Sequence, residues 1–183
     1  MKALFKKYKT VIQFILTFLS VYFVLTFAYK TYLDLSDGDR FYPDFITNLT
    51  ARQSEVLIDA LGYEADVIPH EAEPSMKLII NNKFVARVVE GCNSVSIIIL
   101  FMSFIVAFKD TAKRMIIYLL AGSVLIYAVN LIRIVILSVG LYHYPWRREV
   151  LHTVIFPLII YGLVFMLWMI WVRRFTISKL QNV

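Results

Sequence analysis

Long runs without a charged residue constrain this sequence more than any other feature. Five such runs cover residues 10–29, 91–108, 115–132, 134–146 and 150–172. An α-helix crosses a hydrocarbon core of ~30 Å with about 20 apolar residues. Because Arg133 alone separates the third run from the fourth, we treat these two runs as one long helix with a charge inside it. The sequence therefore predicts four membrane spans, at about 10–29, 93–108, 115–141 and 148–172.

The composition excludes an ordinary soluble domain. Apolar residues make up 60% of the 183 residues and charged residues make up 17%, whereas soluble domains have roughly half and about a quarter. The net charge of +6 does not indicate a nucleic-acid partner, because the basic residues flank apolar runs instead of forming a patch. We predict an all-α transmembrane fold, a single multi-pass domain over residues 1–183 with a bundle of about four helices.

The charges at the ends of the spans predict the orientation of the chain. Ten Lys and Arg residues lie before the first span, between the second and third spans, and after the fourth. The positive-inside rule places these flanks, and therefore both termini, in the cytoplasm. Residues 30–90 contain 11 acidic and 6 basic residues. We expect this segment to be extracytoplasmic.

The extracytoplasmic segment is predicted to contain a short helix and a β-hairpin. An imperfect apolar stripe over residues 44–61 predicts a helix that lies on the outer membrane surface or caps the bundle. The stripe consists of Phe45, Leu49, Val56, Leu57, Ala60 and Leu61. Residues 76–89 predict the hairpin, because two apolar stretches flank a turn at Asn81-Asn82 and the second stretch alternates. This hairpin leads directly into Glu90.

Three polar residues from different spans are predicted to meet at the outer face of the membrane. Cys92, the single cysteine, lies at the outer mouth of the second span. Arg133 lies 18 residues after Met115, hence about 27 Å from the cytoplasmic edge at ~1.5 Å per residue. His152 lies near the outer start of the fourth span, which we expect to begin near Pro145. Their common depth predicts a functional site.

Each of these residues also has a purely structural interpretation. A lone cysteine is often a small packing residue, an arginine near a helix end can extend to the headgroups, and a histidine can simply lie at the interface. His143 is the rival histidine, within a Tyr-rich stretch that is typical of an interfacial belt. A function is nevertheless favoured, since an arginine inside a span costs at least ~2.5 kcal/mol. Asn130, one helical turn before Arg133, is placed to orient its guanidinium.

Taken together, the three residues can perform acyl transfer. At a helix N-terminus, free N–H groups and the helix dipole favour a cysteine thiolate, which attacks a carbonyl to form a thioester. An imidazole moves the proton, and a guanidinium stabilises the oxyanion. Metal catalysis is disfavoured, because the three histidines form no H-E-x-x-H pattern and one cysteine cannot build a zinc cluster. We predict no metal and no cofactor.

The motifs around these residues resemble the exosortase/archaeosortase family. They are Val-Val-Glu-Gly-Cys-Asn-Ser at 88–94, Asn-Leu-Ile-Arg at 130–133 and Leu-His at 151–152. The chain looks most like the short exosortase F type, and the resemblance covers about 76–172. The match implies that the family's catalytic residues fall on Cys92, Arg133 and His152. Glu90, Asn93 and Asn130 are the matching supporting residues.

The resemblance also implies a substrate class and a location. Family members are multi-pass membrane cysteine enzymes that act on C-terminal sorting signals, each a short motif, a hydrophobic span and a basic tail. A member is expected in the bacterial inner membrane, with its active site facing the periplasm. Two features depart from the family. Ser94 stands where a glycine is usual, and this chain has about four spans where many members have about eight.

Three function hypotheses follow. The preferred one is a cysteine protease or transpeptidase whose substrate enters sideways between the helices. The second is a non-enzymatic membrane subunit or scaffold, in which Arg133 pairs with an acidic residue of a partner and Cys92 only packs. The third is a Cys-dependent acyltransferase that acts on lipid-linked substrates. The expected partners are sorting-signal proteins, the lipid bilayer and a possible small membrane partner protein, with no nucleic acid.

Overall fold

The computed structural model describes residues 8–36, 38, 40–108 and 110–180, without the side chains of His152, Phe156 and residues 175–180. Most of the basic flank before the first predicted span, residues 2–7, lies outside the described residues. Within these residues, five long α-helices and three strands follow one another. They are α1 (Lys9–Asp34), α2 (Phe45–Ala60), β1 (Ala65–Pro69), β2 (Ser75–Ile80), β3 (Lys83–Val89), α3 (Val95–Ala107), α4 (Ala112–His143) and α5 (Phe156–Leu180).

Three helical segments in the described part of the chain are long and apolar enough to cross a membrane. They are Lys9–Asp34, Ala112–His143 and Pro145–Arg174. α4 is one continuous helix with Arg133 inside it, as the sequence predicted. The last segment begins with a 3-10 turn at Pro145–Arg147 and contains a π-helical turn at Leu151–Ile155 before α5. The chain is therefore a mostly helical membrane protein.

The second predicted span is shorter in the structure than in the prediction. α3 has 13 residues, which gives a length of about 20 Å at 1.5 Å per residue against the ~30 Å of a hydrocarbon core. The helix begins only at Val95, because Ser94 has left-handed backbone angles that interrupt the helix (φ 65°). α3 instead forms the centre of the apolar bundle, where it contacts α1, α4 and α5.

Close packing between α3 and α4 anchors this bundle. The buried side chains of Phe101 and Ile105 on α3 pack against Ile126 on α4 and against Val164 and Trp171 on α5. α4 approaches α3 at Gly122, where an added Cβ would lie 2.3 Å from the ring of Phe101. A glycine is needed at this point because Phe101 is fully buried.

The segment between α1 and α3 forms a helix and an antiparallel sheet with the strand order β1-β2-β3. The predicted hairpin is β2 and β3, and its turn residues Asn81 and Asn82 have φ values of 47° and 62°. Positive φ at both positions is typical of the type I′ turn that asparagine favours. The sequence analysis missed β1. Its five residues show no clear alternation, and the strand exists because it pairs with β2 from Ala65↔Ile80 to Pro69↔Met76.

The sheet and α2 share a core with the C-terminal half of α4. This core is a cluster of Ala51, Ile58, Val67, Met76, Leu78, Ile80, Val88, Ile134 and Val135. Ile134 and Val135 belong to α4, so the membrane helix completes the core of a segment that is too small to build one alone. The sheet therefore packs on α4 at the two residues that follow Arg133.

The buried face of α2 is not the apolar stripe but a face with mostly small side chains. Its buried residues are Thr47, Thr50, Ala51, Ser54 and Ile58. The apolar stripe that predicted the helix, including Phe45, Val56 and Leu57, is exposed. The small side chains allow close packing, and the hydroxyls of Thr50 and Ser54 remain satisfied because they donate to Ile46 O and Thr50 O of the same helix, each across 2.8 Å. The exposed stripe is consistent with contact with the outer membrane surface.

Candidate active site

Cys92 lies in a short turn between the sheet and the membrane helices. The turn is a 3-10 helix, Glu90–Cys92, that follows β3 directly and leads through Asn93 and Ser94 into α3. The prediction that Cys92 lies at a helix N-terminus needs correction, because the N-cap of α3 is Ser94. The left-handed conformation of Ser94 separates the cysteine from the first turn of the helix. The Cys92 side chain is half-buried.

Asn93 fixes this turn to three helices. Its side chain is buried, and its Nδ2 donates to the hydroxyl of Tyr29 on α1 across 2.7 Å and to that of Thr47 on α2 across 3.1 Å. Its Oδ1 accepts a hydrogen bond from the N–H of Val95 on α3 across 3.0 Å. The asparagine next to Cys92 therefore acts as a structural junction.

Asn130 connects Cys92 with Arg133. It is buried on α4, and its Nδ2 donates to the main-chain oxygen of Cys92 across 2.7 Å. Its Oδ1 accepts a hydrogen bond from Arg133 Nη1 across 3.2 Å. One side chain thus holds both the cysteine turn and the guanidinium. The sequence placed Asn130 beside Arg133, whereas its bond to Cys92 spans 38 residues and follows only from the fold.

Cys92 and Arg133 line the same cavity, which has a volume of about 550 Å³. Its wall combines β3, the cysteine turn, the outer part of α4 and the turns before α5. The other lining residues are Val85, Ala86, Arg87, Val88, Val89, Ile134, Leu137, Ser138, Leu141, Trp146, Arg148, Glu149 and Thr153. The cavity is mainly apolar with a few charged groups, as is common for ligand sites. Sequence analysis did not single out β3, Trp146, Arg148 or Glu149 as part of this wall.

For His152, the structure describes only the backbone. It lies in the π-helical turn Leu151–Ile155, next to Thr153, which lines the cavity. Its side chain is outside the described residues. Single-turn π-helices are rare and frequently occur at functional sites. Glu149 and Thr153, which also line the cavity, lie four residues apart on either side of this histidine. Sequence analysis did not use this spacing, which on a helix places the two residues on one face.

His143, the rival histidine, has another partner. It is exposed at the end of α4, and its Nε2 lies 2.8 Å from the hydroxyl of Tyr63. Its ring also packs against Tyr142 and Tyr144. The cavity wall does not include His143. These contacts match the interfacial aromatic environment that the sequence indicated.

Glu90, the first residue of the cysteine turn, has an altered acidity. Partial burial and, second, the negative charge of Asp44 raise the pKa of its carboxyl group. Asp44 is held in place because it caps α2, where its Oδ1 accepts hydrogen bonds from the N–H groups of Ile46 and Thr47 across 3.0 Å each. Within the described residues, no three His, Cys, Asp or Glu side chains cluster closely enough to hold a metal ion.

The fold and the site together define a class of protein. It is a multi-pass membrane protein in which a cysteine and an arginine share a cavity beside a small sheet. A family model described as transmembrane exosortase matches residues 3–172. The chain therefore belongs to the transmembrane exosortase family. No curated protein and no solved structure matches it.

Proposed function

We propose that this protein is a membrane-embedded cysteine peptidase or transpeptidase that cleaves C-terminal sorting signals of exported proteins. The observation that carries the proposal is that Cys92 and Arg133, from separate elements, line one cavity of about 550 Å³. Membership of the transmembrane exosortase family supports the same reaction class. Within that family we propose the short exosortase F type, which the motifs around Cys92, Arg133 and His152 resemble most.

The proposed reaction has two halves. In the first half, the Cys92 thiolate attacks the carbonyl carbon of the scissile peptide bond, and Arg133 stabilises the negative charge on the carbonyl oxygen. A thioester forms, the C–N bond breaks, and His152 gives a proton to the leaving amine. In the second half, an amine or water attacks the thioester after His152 removes its proton. The acyl group leaves the sulfur, and the thiolate is restored.

The position of Arg133 supports its role at the oxyanion. The hydrogen bond from its Nη1 to Asn130 Oδ1 across 3.2 Å orients the guanidinium. Since the same Asn130 binds the Cys92 carbonyl, the guanidinium is held beside the main chain of the nucleophile. Pre-oriented donors are effective oxyanion stabilisers because they need no reorganisation during the reaction.

The proposed topology explains how a sorting signal reaches the site. We place both termini and the basic flanks in the cytoplasm, and the sheet on the periplasmic side of the inner membrane. A substrate with a basic tail would keep that tail in the cytoplasm and its span between the helices. Its short motif would then lie at the outer face, at the level of the cavity. A small membrane partner protein is compatible with this arrangement.

Processing of a co-expressed substrate tests the proposal. The chain is expressed with a neighbouring gene product that ends in a motif, a span and a basic tail, and loss of the tail is followed by mass spectrometry. Cys92→Ala, Arg133→Ala and His152→Ala should abolish or strongly reduce processing. His143→Ala is the matched control and should retain it. Intact processing by Cys92→Ala would refute the mechanism, and loss in His143→Ala alone would assign the proton transfer to His143.

Thiol labelling separates the enzyme from a scaffold. The chain has one cysteine, so any covalent labelling by a maleimide reports on Cys92. The peptidase proposal expects labelling from the periplasmic side, and expects a bound substrate to protect the thiol. An inert thiol in the folded protein, together with unchanged substrate levels, would favour the scaffold.

A further inference from the structure

The three-stranded sheet has two edge strands, and α2 covers one of them. On β1, the N–H of Ala65 donates to Asp59 Oδ1 across 2.8 Å, and the N–H of Val67 donates to Glu55 Oε1 across 3.1 Å. Both carboxylates belong to α2. An uncovered strand edge is a template for pairing with another chain, and native proteins commonly cover it. The β1 edge is closed in this way.

The opposite edge, on β3, is open. β3 pairs with β2 along one side, from Ser75↔Val89 to Ile80↔Lys83. Outside this ladder, no hydrogen bond from the described part of the chain reaches a backbone group of residues 83–89. The protein therefore closes one edge of the sheet and leaves available the edge that leads to Cys92.

The ladder geometry identifies which backbone groups of β3 point outward. Inward and outward backbone groups alternate along antiparallel strands. Val67 on β1 directs its N–H away from β2. Its partner on β2, Leu78, therefore directs its backbone groups toward β3. There Leu78 pairs with Ala86. Ala86 therefore faces β2, and the next residue, Arg87, presents its N–H and C=O to the open edge. Val89, two residues further on, does the same.

The cavity that contains Cys92 runs along this open edge. Successive side chains of a strand point to opposite faces of the sheet, so a cavity against one face would contact alternate residues. Here five consecutive residues, Val85–Val89, line the cavity. Leu141, Trp146 and Glu149 contribute to the rest of its wall. At about 3.3 Å per residue, Val85–Val89 gives an edge of roughly 17 Å, which ends at the Glu90–Cys92 turn.

We infer that the substrate binds as an added β-strand along β3, with its scissile carbonyl delivered to Cys92. This inference rests on the proposed peptidase function. The occupant is the extended segment of the exported protein that immediately precedes its cleavage site. Such strand addition uses main-chain hydrogen bonds for affinity, while alternate side chains provide specificity. The outward groups of Arg87 and Val89 would supply the bonds.

The added strand is parallel to β3. β3 runs toward Cys92 and the start of α3, and in the proposed topology α3 then enters the membrane. The substrate has its exported part before the cleavage site and its span after it, so it also runs toward the membrane. An antiparallel substrate would carry its own span away from the bilayer. The residues before the cleavage site therefore lie along β3.

Proline substitution tests the backbone contact. Arg87→Pro removes a backbone N–H that points away from β2, so it breaks no hydrogen bond within the sheet. Pro69 shows that this sheet accepts a proline at an outward-facing position of an edge strand. We expect processing to fall about tenfold or more, the loss expected for one or two main-chain bonds. Arg87→Ala keeps the N–H and should retain more activity than Arg87→Pro. Ala65→Pro, at the covered edge, is the matched control and should process normally.

Cross-linking provides a measurement that is independent of turnover. A photoreactive residue is placed at Arg87 or Val89 in the Cys92→Ala variant, which should hold the uncleaved substrate. Moving the probe from Arg87 to Val89 should move the cross-linked substrate residue by two positions toward its C-terminus. A probe at Ile68 on β1 should give no cross-link to the substrate.

The outcomes distinguish this inference from the proposed function. If the native chain releases the tail but Arg87→Pro is as active as Ala65→Pro, strand addition is wrong and the peptidase proposal stands. Cross-links that move in the opposite direction, or that form equally at Ile68, also overturn strand addition. If the native chain does not process the substrate, both proposals fail together. A thermal unfolding midpoint for each variant shows whether a loss of processing reflects a loss of fold.

Discussion

Asn130 donates a hydrogen bond from its side-chain Nδ2 to the main-chain oxygen of Cys92 across 2.7 Å. The bond joins the interior of the long membrane helix α4 to the turn between sheet and bundle. Because the Oδ1 of the same side chain holds Arg133, the separation of nucleophile and guanidinium depends on one buried amide.

Asn130→Ala should slow processing strongly. The substitution removes the bonds to Cys92 and Arg133 together, and a lost buried hydrogen-bond partner costs about 1–3 kcal/mol, or roughly 5- to 150-fold. The measurement is the processing rate per amount of folded protein in the membrane. Ser103→Ala is the control, because Ser103 is buried on α3, lies outside the cavity wall and donates to Ile99 O within its own helix. Equal rates for the two variants would show that other contacts hold the turn.

Ser94→Gly should stabilise the protein. Ser94 has left-handed backbone angles with φ 65°, a conformation that costs side-chain-bearing residues about 1 kcal/mol and glycine little. This geometry also explains why a glycine is usual here in the family that the sequence resembles. We expect a higher thermal unfolding midpoint in detergent. Ser96→Gly, within α3, should lower the midpoint because glycine weakens a helix. A lower midpoint for Ser94→Gly would contradict the strain argument.

Gly122→Ala should destabilise the bundle by about 1–3 kcal/mol, the usual cost of overpacking. The new Cβ would lie 2.3 Å from the Phe101 ring, which is fully buried and has no space to move. Gly162→Ala on α5 is the matched control, since its Cβ would meet nothing within 4 Å. That control should gain roughly 0.5–1 kcal/mol from helix propensity. Chemical denaturation in mixed micelles measures both, and an equal gain in the two variants would refute the close approach.

Glu90→Gln should flatten the dependence of stability on pH. Burial and Asp44 raise the pKa of Glu90 in the folded protein, so the folded state binds this proton more tightly than the unfolded state does. Stability therefore falls as pH rises from about 4.3, the ordinary value of glutamate, through the raised pKa. The glutamine variant lacks this fall. Unfolding midpoints between pH 4 and 8 measure it, and Glu71→Gln controls for the loss of one surface carboxylate.

Local sequence patterns were sufficient to predict the helices and the hairpin. Apolar runs of 18 to 23 residues have few stable solutions besides a helix in a bilayer, because each backbone polar group must be satisfied within the segment. Asn81-Asn82 predicted its turn since asparagine tolerates the positive φ that both positions adopt. These features depend on neighbouring residues alone.

Contacts between distant segments decided what the local patterns did not. The apolar stripe of α2 left open whether the helix lies on the membrane surface or caps the bundle, and in the structure the helix buries another face, with Thr50, Ala51 and Ser54. β1 has too short a pattern of its own and depends on β2 and on the carboxylates of α2. Ser94 shortened α3 through a backbone conformation that no apolar count reveals.

The sequence by itself determined a membrane chain with an unpaired cysteine and an arginine inside a long helix, since charge and hydropathy act residue by residue. Only the tertiary structure decided that Cys92 and Arg133 line one cavity and that the open edge of β3 runs along it. The physical reason is that both arrangements depend on how the sheet packs on the C-terminal half of α4. Ile134 and Val135 set that packing, through contacts with residues far away in the chain.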